Sequence, residues 1–367
     1  MRKYRLKTVP IASSAPGELY VGIDASKARL AIAVVQRNGP AMEVVLCRSI
    51  ASTRKDVHAF FKALGKERKV YATYETGPTG YSLLRWLAEC GVDAFMTPPS
   101  LMPVASGDRV KTDKRDAVKL ATLLAGAQLK RAYPLTDERY ADREVVRARE
   151  RAVDALRRIL QQIKSMALFH GLVVNLDKPG LSRKVLLELE SYARGTEQLR
   201  WTLAREVARY RTARTELVAS TREVRKLALL PRYAEELARL QTIPGIGMIS
   251  AITILVERGG RAFPTGAGFA CFCGLTPSEF STGQARRQGP ITRQGNSRMR
   301  ATLVESAWRW KRLDTTAGKR FDDLSSRIGS KKKTIVAMAH DLSLIVNAML
   351  RDRKPYAVAV QEVKQAA

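Results

Sequence analysis

Four acidic residues stand out in this chain of 367 residues, because carboxylates at their positions could bind a metal ion that acts on a phosphodiester. Asp24 ends the apolar run LYVGI and Glu75 ends the run VYATY, while Asp113 and Asp116 lie three residues apart in TDKRDAVKLATLLAG. Carboxylate oxygens are the ligands that Mg²⁺ prefers, and phosphoryl-transfer sites place one or two such ions beside the scissile phosphate. The set predicts a Mg²⁺ or Mn²⁺ site, although each acid alone has an ordinary structural explanation, such as a helix N-terminus.

The elements that must position these acids follow from hydrophobic periodicity. LYVGID and LAIAVVQ are predicted to form a β-hairpin, with further strands over VLCRSIAS, KVYATYE and VDAFMTP and helices over DVHAFFKALGK and TGYSLLRWLAECG. Asp24 and Glu75 then end strands that could be neighbours, and Asp113 and Asp116 share one face of a helix. This order of strands and helices is typical of an α/β RNase H-like domain.

A second candidate site lies in the segment SEFSTGQARRQGPITRQGNSRMR, which is rich in glycine and arginine and poor in acids. It predicts a positively charged loop. Arginines around a phosphate stabilise the charge that builds when a serine hydroxyl attacks it. The arginines available are Arg286, Arg287, Arg293, Arg298 and Arg300. On composition alone, a phosphate-binding loop with a bystander serine fits better than a nucleophilic serine.

Two long helices are predicted in the middle of the chain. The first runs from Asp137 to about His170 and is amphipathic, with a face dense in arginine. The second shows a short coiled-coil register at Leu203, Val207, Tyr210, Leu217 and Val224, once Arg214 is admitted to it. This register predicts a partner helix within the chain or across a dimer. The same apolar positions are equally compatible with a helix that packs on its own domain.

The segment LQTIPGIGMISAITILVERG predicts a helix-hairpin-helix element. Gly245 and Gly247 would let backbone N–H groups at a helix N-terminus approach a DNA phosphate. The alternative is that both glycines only allow close helix packing.

The overall charge narrows the partner class. Sixty-four Lys and Arg residues against 35 Asp and Glu residues give a formal charge of +29, which attracts a polyanion, and nucleic acid is the first candidate. The sequence has no run of 18 apolar residues and no signal-peptide block at its N-terminus, which predicts no membrane association and a cytoplasmic, nucleoid-associated protein. Four scattered cysteines and three scattered histidines disfavour disulfides and a zinc site.

These motifs resemble those of the DEDD serine transposases of the IS110 family, which are relatives of the Piv DNA invertase. The resemblance spans roughly residues 18–347 and is carried by the four acids, TD-x-x-DA, PGIG, GLTP-x-x-FSTG and GPITRQGN-x-x-MR. It implies a RuvC-like domain with a metal-binding acidic tetrad and Ser281 as the nucleophile, with Thr282 and Ser278 as the next candidates. It also implies a bridge RNA that pairs with donor and target DNA. Gln284 departs from the glycine that relatives often have there.

The expected organisation is a RuvC-like domain, a helical coiled-coil spacer and a mainly α C-terminal transposase domain. The predicted boundaries are a basic arm at 1–17, the domain at 18–170, the spacer at 171–237, the transposase domain at 238–350 and a tail at 351–367. A homo-oligomer, either a dimer or a tetramer, is expected. Two alternatives stay open: a metal-dependent nuclease without a covalent intermediate, and a non-enzymatic nucleic-acid-binding protein. An ATPase is disfavoured because LYVGIDASK lacks the glycine of a phosphate loop.

Overall fold

The structure is a computed structural model with two compact units, Met1–Pro134 and Leu135–Ala367. Residues 1–16 of the predicted arm and 357–367 of the predicted tail lie outside the residues it describes. The described residues are 17–38, 41–65, 68–77, 80–99, 102–103, 112–132, 134–172, 180–192, 195–280 and 287–356.

The first unit is built on a five-stranded sheet with the strand order β3-β2-β1-β4-β5. Strands β1 to β3 form an antiparallel meander, and β4 and β5 continue the sheet parallel to β1. The five strands and their order along the chain confirm the mixed α/β prediction. Their bounds are β1 Leu19–Ala25, β2 Arg29–Asn38, β3 Ala41–Ala51, β4 Val70–Glu75 and β5 Asp93–Thr97.

Two layers of helix cover the sheet. On one face, α1 (Arg54–Leu64) and α2 (Ser82–Ala88) bury Phe61 and Leu87 against alternate strand residues such as Ile23 and Tyr74. On the other face, α3 (Asp113–Ala125) packs small residues, including Ala117 and Ala121, against Ala31 and its neighbours in β2. The side chain of Thr112 caps α3 by accepting a hydrogen bond from the backbone of Arg115.

The second unit opens with three helices, α4 (Asp137–Phe169), α5 (Arg183–Glu190) and α6 (Glu197–Ala228). Both long helices occur where the hydrophobic pattern predicts them. Leu203, Val207 and Tyr210 of α6 pack in one core with Ile159 and Ile163 of α4, so α6 has a partner helix within the chain.

The predicted stripe along α6 is interrupted. Arg214 is exposed and Leu217 is half-buried. Val224 instead joins the core of the C-terminal helices. A continuous coiled-coil register along α6 therefore remains a prediction.

The rest of the second unit is mainly helical. Its core contains Ile252 of α8, Leu303 of α10 and Met338 of α12. Helix α12 is long and apolar enough to cross a membrane, but 67% of its most apolar stretch is buried, as in the core helix of a folded domain. The elements are α7 Pro231–Gln241, α8 Met248–Arg258, α9 Gly266–Cys273, β6 Pro277–Glu279, β7 Gln288–Ile291, α10 Ser297–Leu313, α11 Thr315–Ile328 and α12 Lys331–Asp352.

The compact units divide the chain earlier than the boundary predicted at residue 170. The first unit ends at Pro134, so the whole of α4 belongs to the second unit. The physical reason is that α4 packs along α6 and against α8, both of which belong to the second unit.

Candidate functional site

Asp24 and Glu75 end two neighbouring parallel strands. In the register of β1 and β4, Ile23 lies beside Tyr74. Asp24 follows Ile23 and Glu75 follows Tyr74, so the two acids lie at the same level of the sheet. Ile23 and Tyr74 both point into the core beneath α1 and α2. Because successive side chains alternate between the faces of a strand, Asp24 and Glu75 both belong to the opposite face, on which α3 packs.

Helix α3, which carries the other two acids, packs on that face. Gly22, two residues before Asp24, lies against α3 so closely that a Cβ atom on it would be 2.2 Å from the carbonyl oxygen of Ala117. Ala117 directly follows Asp116, and Asp113 is the first residue of the same helix. The contact between β1 and α3 thus falls within two residues of Asp24 and one residue of Asp116.

The four side chains differ in exposure. Asp24, Glu75 and Asp116 are half-buried and Asp113 is exposed. Within the described ranges, no three Asp, Glu, His or Cys side chains lie close enough together to hold a metal ion. The backbone therefore brings the acid-bearing segments to one face of the sheet, whereas the carboxylates do not converge on one point.

Two threonines on this face were not found from the sequence. Thr73 lies beside Gly22 in the sheet and Thr97 lies beside Glu75, so both point to the face that carries the acids. Both are fully buried, and neither hydroxyl has a hydrogen-bond partner in the part of the chain that the structure describes. A buried hydroxyl without a partner is costly. In the sequence, only the alternation of residues along the strands indicates that these threonines share a face with Glu75.

These residues fit a hard divalent cation. The four acids and the two threonines offer carboxylate and hydroxyl oxygens, the ligand type that suits Mg²⁺ and Mn²⁺. The two buried threonine hydroxyls are polar groups that a hydrated ion nearby could satisfy.

The serine segment is a β-hairpin whose two stems are described. Strands β6 and β7 pair antiparallel, and the backbone N–H of Phe280 donates to the carbonyl of Arg287 at 2.8 Å. Residues 281–286, which include Ser281, Thr282, Gln284 and Arg286, lie outside the described residues. The Ser278 hydroxyl, the upstream alternative nucleophile, donates a hydrogen bond to the Pro290 carbonyl at 3.0 Å.

The arginines predicted to bind nucleic acid fall into two groups. Arg287 and Arg293 are exposed. Arg298 pairs with Glu150 at 2.5 Å, and Arg300 donates to the backbone carbonyls of Cys273 and Arg293 at 3.0 and 3.3 Å. Arg298 and Arg300 thus have partners within the fold, and a phosphate-binding role for any of these residues stays a prediction.

The two glycines of the predicted hairpin between α7 and α8 have different surroundings. Gly245 has φ of +93°, and a Cβ on it would lie 2.7 Å from the backbone nitrogen of Trp310, so this glycine allows close packing against α10. Gly247 is the N-cap of α8, has no side-chain cap bond, and has open space around its Cα. The space beside Gly247 therefore leaves room for a phosphate, whereas the surroundings of Gly245 fit the alternative of close helix packing.

A buried acid near the serine hairpin also escaped the sequence analysis. Glu257, in the last turn of α8, is 0% exposed. It accepts hydrogen bonds from Arg147 Nε at 3.1 Å and Asn296 Nδ2 at 2.7 Å, and Arg143 Nε lies 3.4 Å from it. Burial by itself raises the pKa of Glu257, but these hydrogen bonds and charges bring the pKa below its ordinary value. In the sequence, Glu257 reads only as the polar end of an apolar helix.

Comparison with known proteins identifies the family. Residues 21–170 match the model of the DEDD transposases of the IS110 group, which carries the description "Transposase". Residues 237–322 match a second model, described as "Transposase IS116/IS110/IS902 family". A solved structure, T. thermophilus RuvC in complex with a Holliday junction substrate, aligns at 15% identity over 31% of this chain and 99% of RuvC, with a TM-score of 0.22.

Two relatives align over most of their length. The y4qE protein of Sinorhizobium fredii, assigned as a transposase, is 33% identical over 323 residues, which cover 85% of this chain and 77% of y4qE. The transposase for insertion sequence element IS1533 of Leptospira borgpetersenii is 25% identical over 92% of this chain and 97% of its own. The chain therefore belongs to the IS116/IS110/IS902 transposase family and is a DNA-processing enzyme of an insertion sequence.

Proposed function

We propose that this transposase exchanges DNA strands in a metal-dependent reaction that passes through a phosphoserine link at Ser281. The observation that carries the metal-dependent part of the proposal is the register of β1 and β4, which ends both strands in an acid on the face covered by α3. The role of Ser281 follows from the family resemblance. A formal charge of +29 supports DNA as the substrate.

The proposed metal ligands are the four acids of the first unit, Asp24, Glu75, Asp113 and Asp116. A divalent ion, Mg²⁺ or Mn²⁺, would supply positive charge that polarises the scissile phosphate and stabilises the departing oxygen. The half-buried Asp24 and Glu75 are held by their strands, whereas the exposed Asp113 is in the first turn of a helix. We propose that the side chains close on one another when the ion binds, because like charges otherwise keep them apart.

In the proposed chemical step, the Ser281 hydroxyl oxygen forms a bond to phosphorus and the bond from phosphorus to the leaving DNA oxygen breaks. The serine proton passes to that leaving oxygen. The covalent link conserves the phosphodiester until another DNA hydroxyl displaces the serine, so no net hydrolysis occurs. Arg287 and Arg293, exposed on the segment that follows Ser281, are suited to stabilise the negative charge of the phosphate.

The proposal extends to partners. A bridge RNA that pairs with both donor and target DNA follows from the family resemblance, and the basic surface is compatible with RNA as well as DNA. The proposed reaction uses acids from the first unit and a serine from the second, supplied by one chain or by different chains of a homo-oligomer.

Trapping of a covalent protein–DNA adduct tests the proposed function. The full chain is incubated with its RNA, end-labelled DNA and Mg²⁺, and adducts are separated on a denaturing gel. We expect Ser281→Ala to abolish the adduct and strand exchange, while Thr282→Ala and Ser278→Ala retain both. Cleavage without any adduct in the wild type would favour a nuclease that uses water. Binding without Mg²⁺-dependent cleavage or exchange would favour a non-enzymatic binding protein.

A further inference from the structure

Glu257 of α8 connects two other elements of the second unit. It is a fully buried acid between α4, which supplies Arg143 and Arg147, and the start of α10, which supplies Asn296. Buried ion clusters recover their desolvation cost only with good geometry, and apolar residues of similar volume often stabilise a core equally well. A cluster like this one can instead fix the relative placement of the elements that it joins.

Glu257 is hydrogen-bonded to Asn296, the N-cap residue of α10. The Asn296 Oδ1 atom caps α10 by accepting hydrogen bonds from the backbone N–H groups of Arg298 and Met299 at 3.1 and 3.0 Å. Its Nδ2 atom donates to Glu257 at 2.7 Å, and its backbone N–H donates to the Phe272 carbonyl at 2.8 Å. One side chain therefore both starts α10 and ties it to the buried carboxylate.

The chain leads directly from Asn296 to the serine hairpin. Only four residues separate Asn296 from the end of β7, and the Thr292 N–H donates to the Thr276 carbonyl at 2.8 Å across the base of the hairpin. Gly295 has φ of +143° and packs so tightly that a Cβ on it would lie 2.4 Å from the Phe272 carbonyl oxygen. These contacts hold the base of the hairpin, so we expect a shift of Asn296 to be transmitted to β7.

We propose that Glu257 is a positioning residue for strand exchange. It acts through Asn296 to hold β7, and with it Arg287 at the end of the hairpin, in the position that adduct formation requires. Arg143 and Arg147 keep Glu257 ionised and fixed on α4. This inference depends on the proposed role of Ser281.

Asn296→Ser separates the two roles of Asn296. Serine is as good a helix N-cap as asparagine, but it is too short to replace the amide that reaches Glu257. We expect a somewhat lower thermal midpoint, because the buried Glu257 loses one charge-assisted hydrogen bond, and a DNA affinity close to that of the wild type. We expect the rate of adduct formation at saturating DNA to fall by about 100-fold, the cost of misplacing a reacting group by roughly 1 Å. A fall in the maximal rate at constant affinity indicates a loss of positioning.

Two variants serve as controls. Thr265→Ser exchanges the cap of α9, whose hydroxyl accepts from the Gly268 N–H, and should leave the adduct rate unchanged. Thr196→Ser exchanges the cap of α6, whose hydroxyl accepts from the Leu199 N–H, and should likewise leave the adduct rate unchanged.

Wild-type adduct formation by Asn296→Ser would overturn the inference while leaving the proposed function intact, provided that Ser281→Ala forms no adduct. A lowered thermal midpoint together with weaker DNA binding in Asn296→Ser would also overturn it, because the role would then be structural. An adduct in Ser281→Ala would instead contradict the proposed function itself.

Discussion

Gly22 of β1 and Ala117 of α3 meet backbone to backbone, since a Cβ on Gly22 would lie only 2.2 Å from the Ala117 carbonyl oxygen and 2.3 Å from the Ala121 nitrogen. This contact sets the height of α3 above the sheet. It also lies within two residues of Asp24 and one residue of Asp116. The packing of one glycine therefore controls the separation of two proposed metal ligands.

Gly22→Ala should push α3 off the sheet. Because the added methyl group meets backbone atoms, neither neighbour can rotate away, and we expect a loss of about 1–3 kcal/mol in the free energy of unfolding. We also expect a larger loss of Mg²⁺ affinity than of DNA affinity. Denaturant unfolding and calorimetric Mg²⁺ titration measure the two effects.

Gly77→Ala is the matched control for Gly22→Ala in the same unit, because the nearest described atom to a Cβ there would be the Glu75 carbonyl oxygen at 3.8 Å. Equal effects of the two substitutions would show that the contact between β1 and α3 does not set the metal site.

Asp24→Asn should abolish metal-dependent strand exchange. Removing one carboxylate weakens the metal site, yet it changes the formal charge of +29 by only one unit, so DNA affinity should change little. Asp93→Asn is the control, because Asp93 begins β5 at the opposite end of the parallel strands and pairs with Arg131 at 3.7 Å. Turnover by Asp24→Asn at the wild-type rate would remove Asp24 from the site.

Glu257 should make stability depend on pH in the acid range. Its pKa lies below the ordinary value in the folded protein, so its stabilising contribution is complete above the unfolded-state pKa of about 4.3 and is lost as the pH falls through the folded-state value. Near neutral pH, Glu257→Gln should cost about 3–5 kcal/mol, because Arg143 and Arg147 lose their buried counter-charge. Thermal unfolding of both proteins as a function of pH should give midpoints that converge as the pH falls through the folded-state pKa of Glu257. A constant difference across the whole range would contradict this.

Nucleic-acid binding should weaken steeply with salt, because Lys and Arg contacts to phosphates release counterions. Arg287 is exposed at the hairpin, and Arg287→Ala should lower the slope of log affinity against log salt by about 0.9, the value for one phosphate contact with duplex DNA. Arg54 pairs with Glu89 at 2.9 Å in the first unit, and Arg54→Ala should leave the slope unchanged. Fluorescence anisotropy across a salt series measures the slopes. A flat salt dependence of the wild type would show that the charge serves another purpose.

The sequence predicts the local parts of this fold better than the contacts between distant segments. The strands ending at Asp24 and Glu75 follow from alternation of apolar residues, which depends only on near neighbours. By contrast, Glu257 acquires its partners from residues 39 and 110 positions away, which no local pattern contains. Val224 fits the register of α6 but is buried in a different core from Tyr210, because α6 passes from one cluster to another.

The surroundings of the two glycines in PGIG also depend on distant segments that the local sequence does not reveal. Gly245 and Gly247 look equivalent in PGIG, but α10, more than 50 residues further along the chain, covers the first and leaves the second open. Thr73 and Thr97 have the sequence pattern of ordinary strand residues, and the burial of their hydroxyls becomes visible only once β4 and β5 are paired in the folded sheet.

The position of the DNA link within the protein tests the central proposal most directly. No Lys or Arg occurs between Arg261 and Arg286, so a single tryptic peptide, 262–286, contains Ser278, Ser281 and Thr282 together. After nuclease and trypsin digestion of a trapped adduct, fragmentation of this peptide by mass spectrometry locates the residue that carries the nucleotide. We predict that the nucleotide is attached to Ser281. Attachment to any other residue, or continued metal-dependent strand exchange without a modified peptide, would contradict the phosphoserine mechanism.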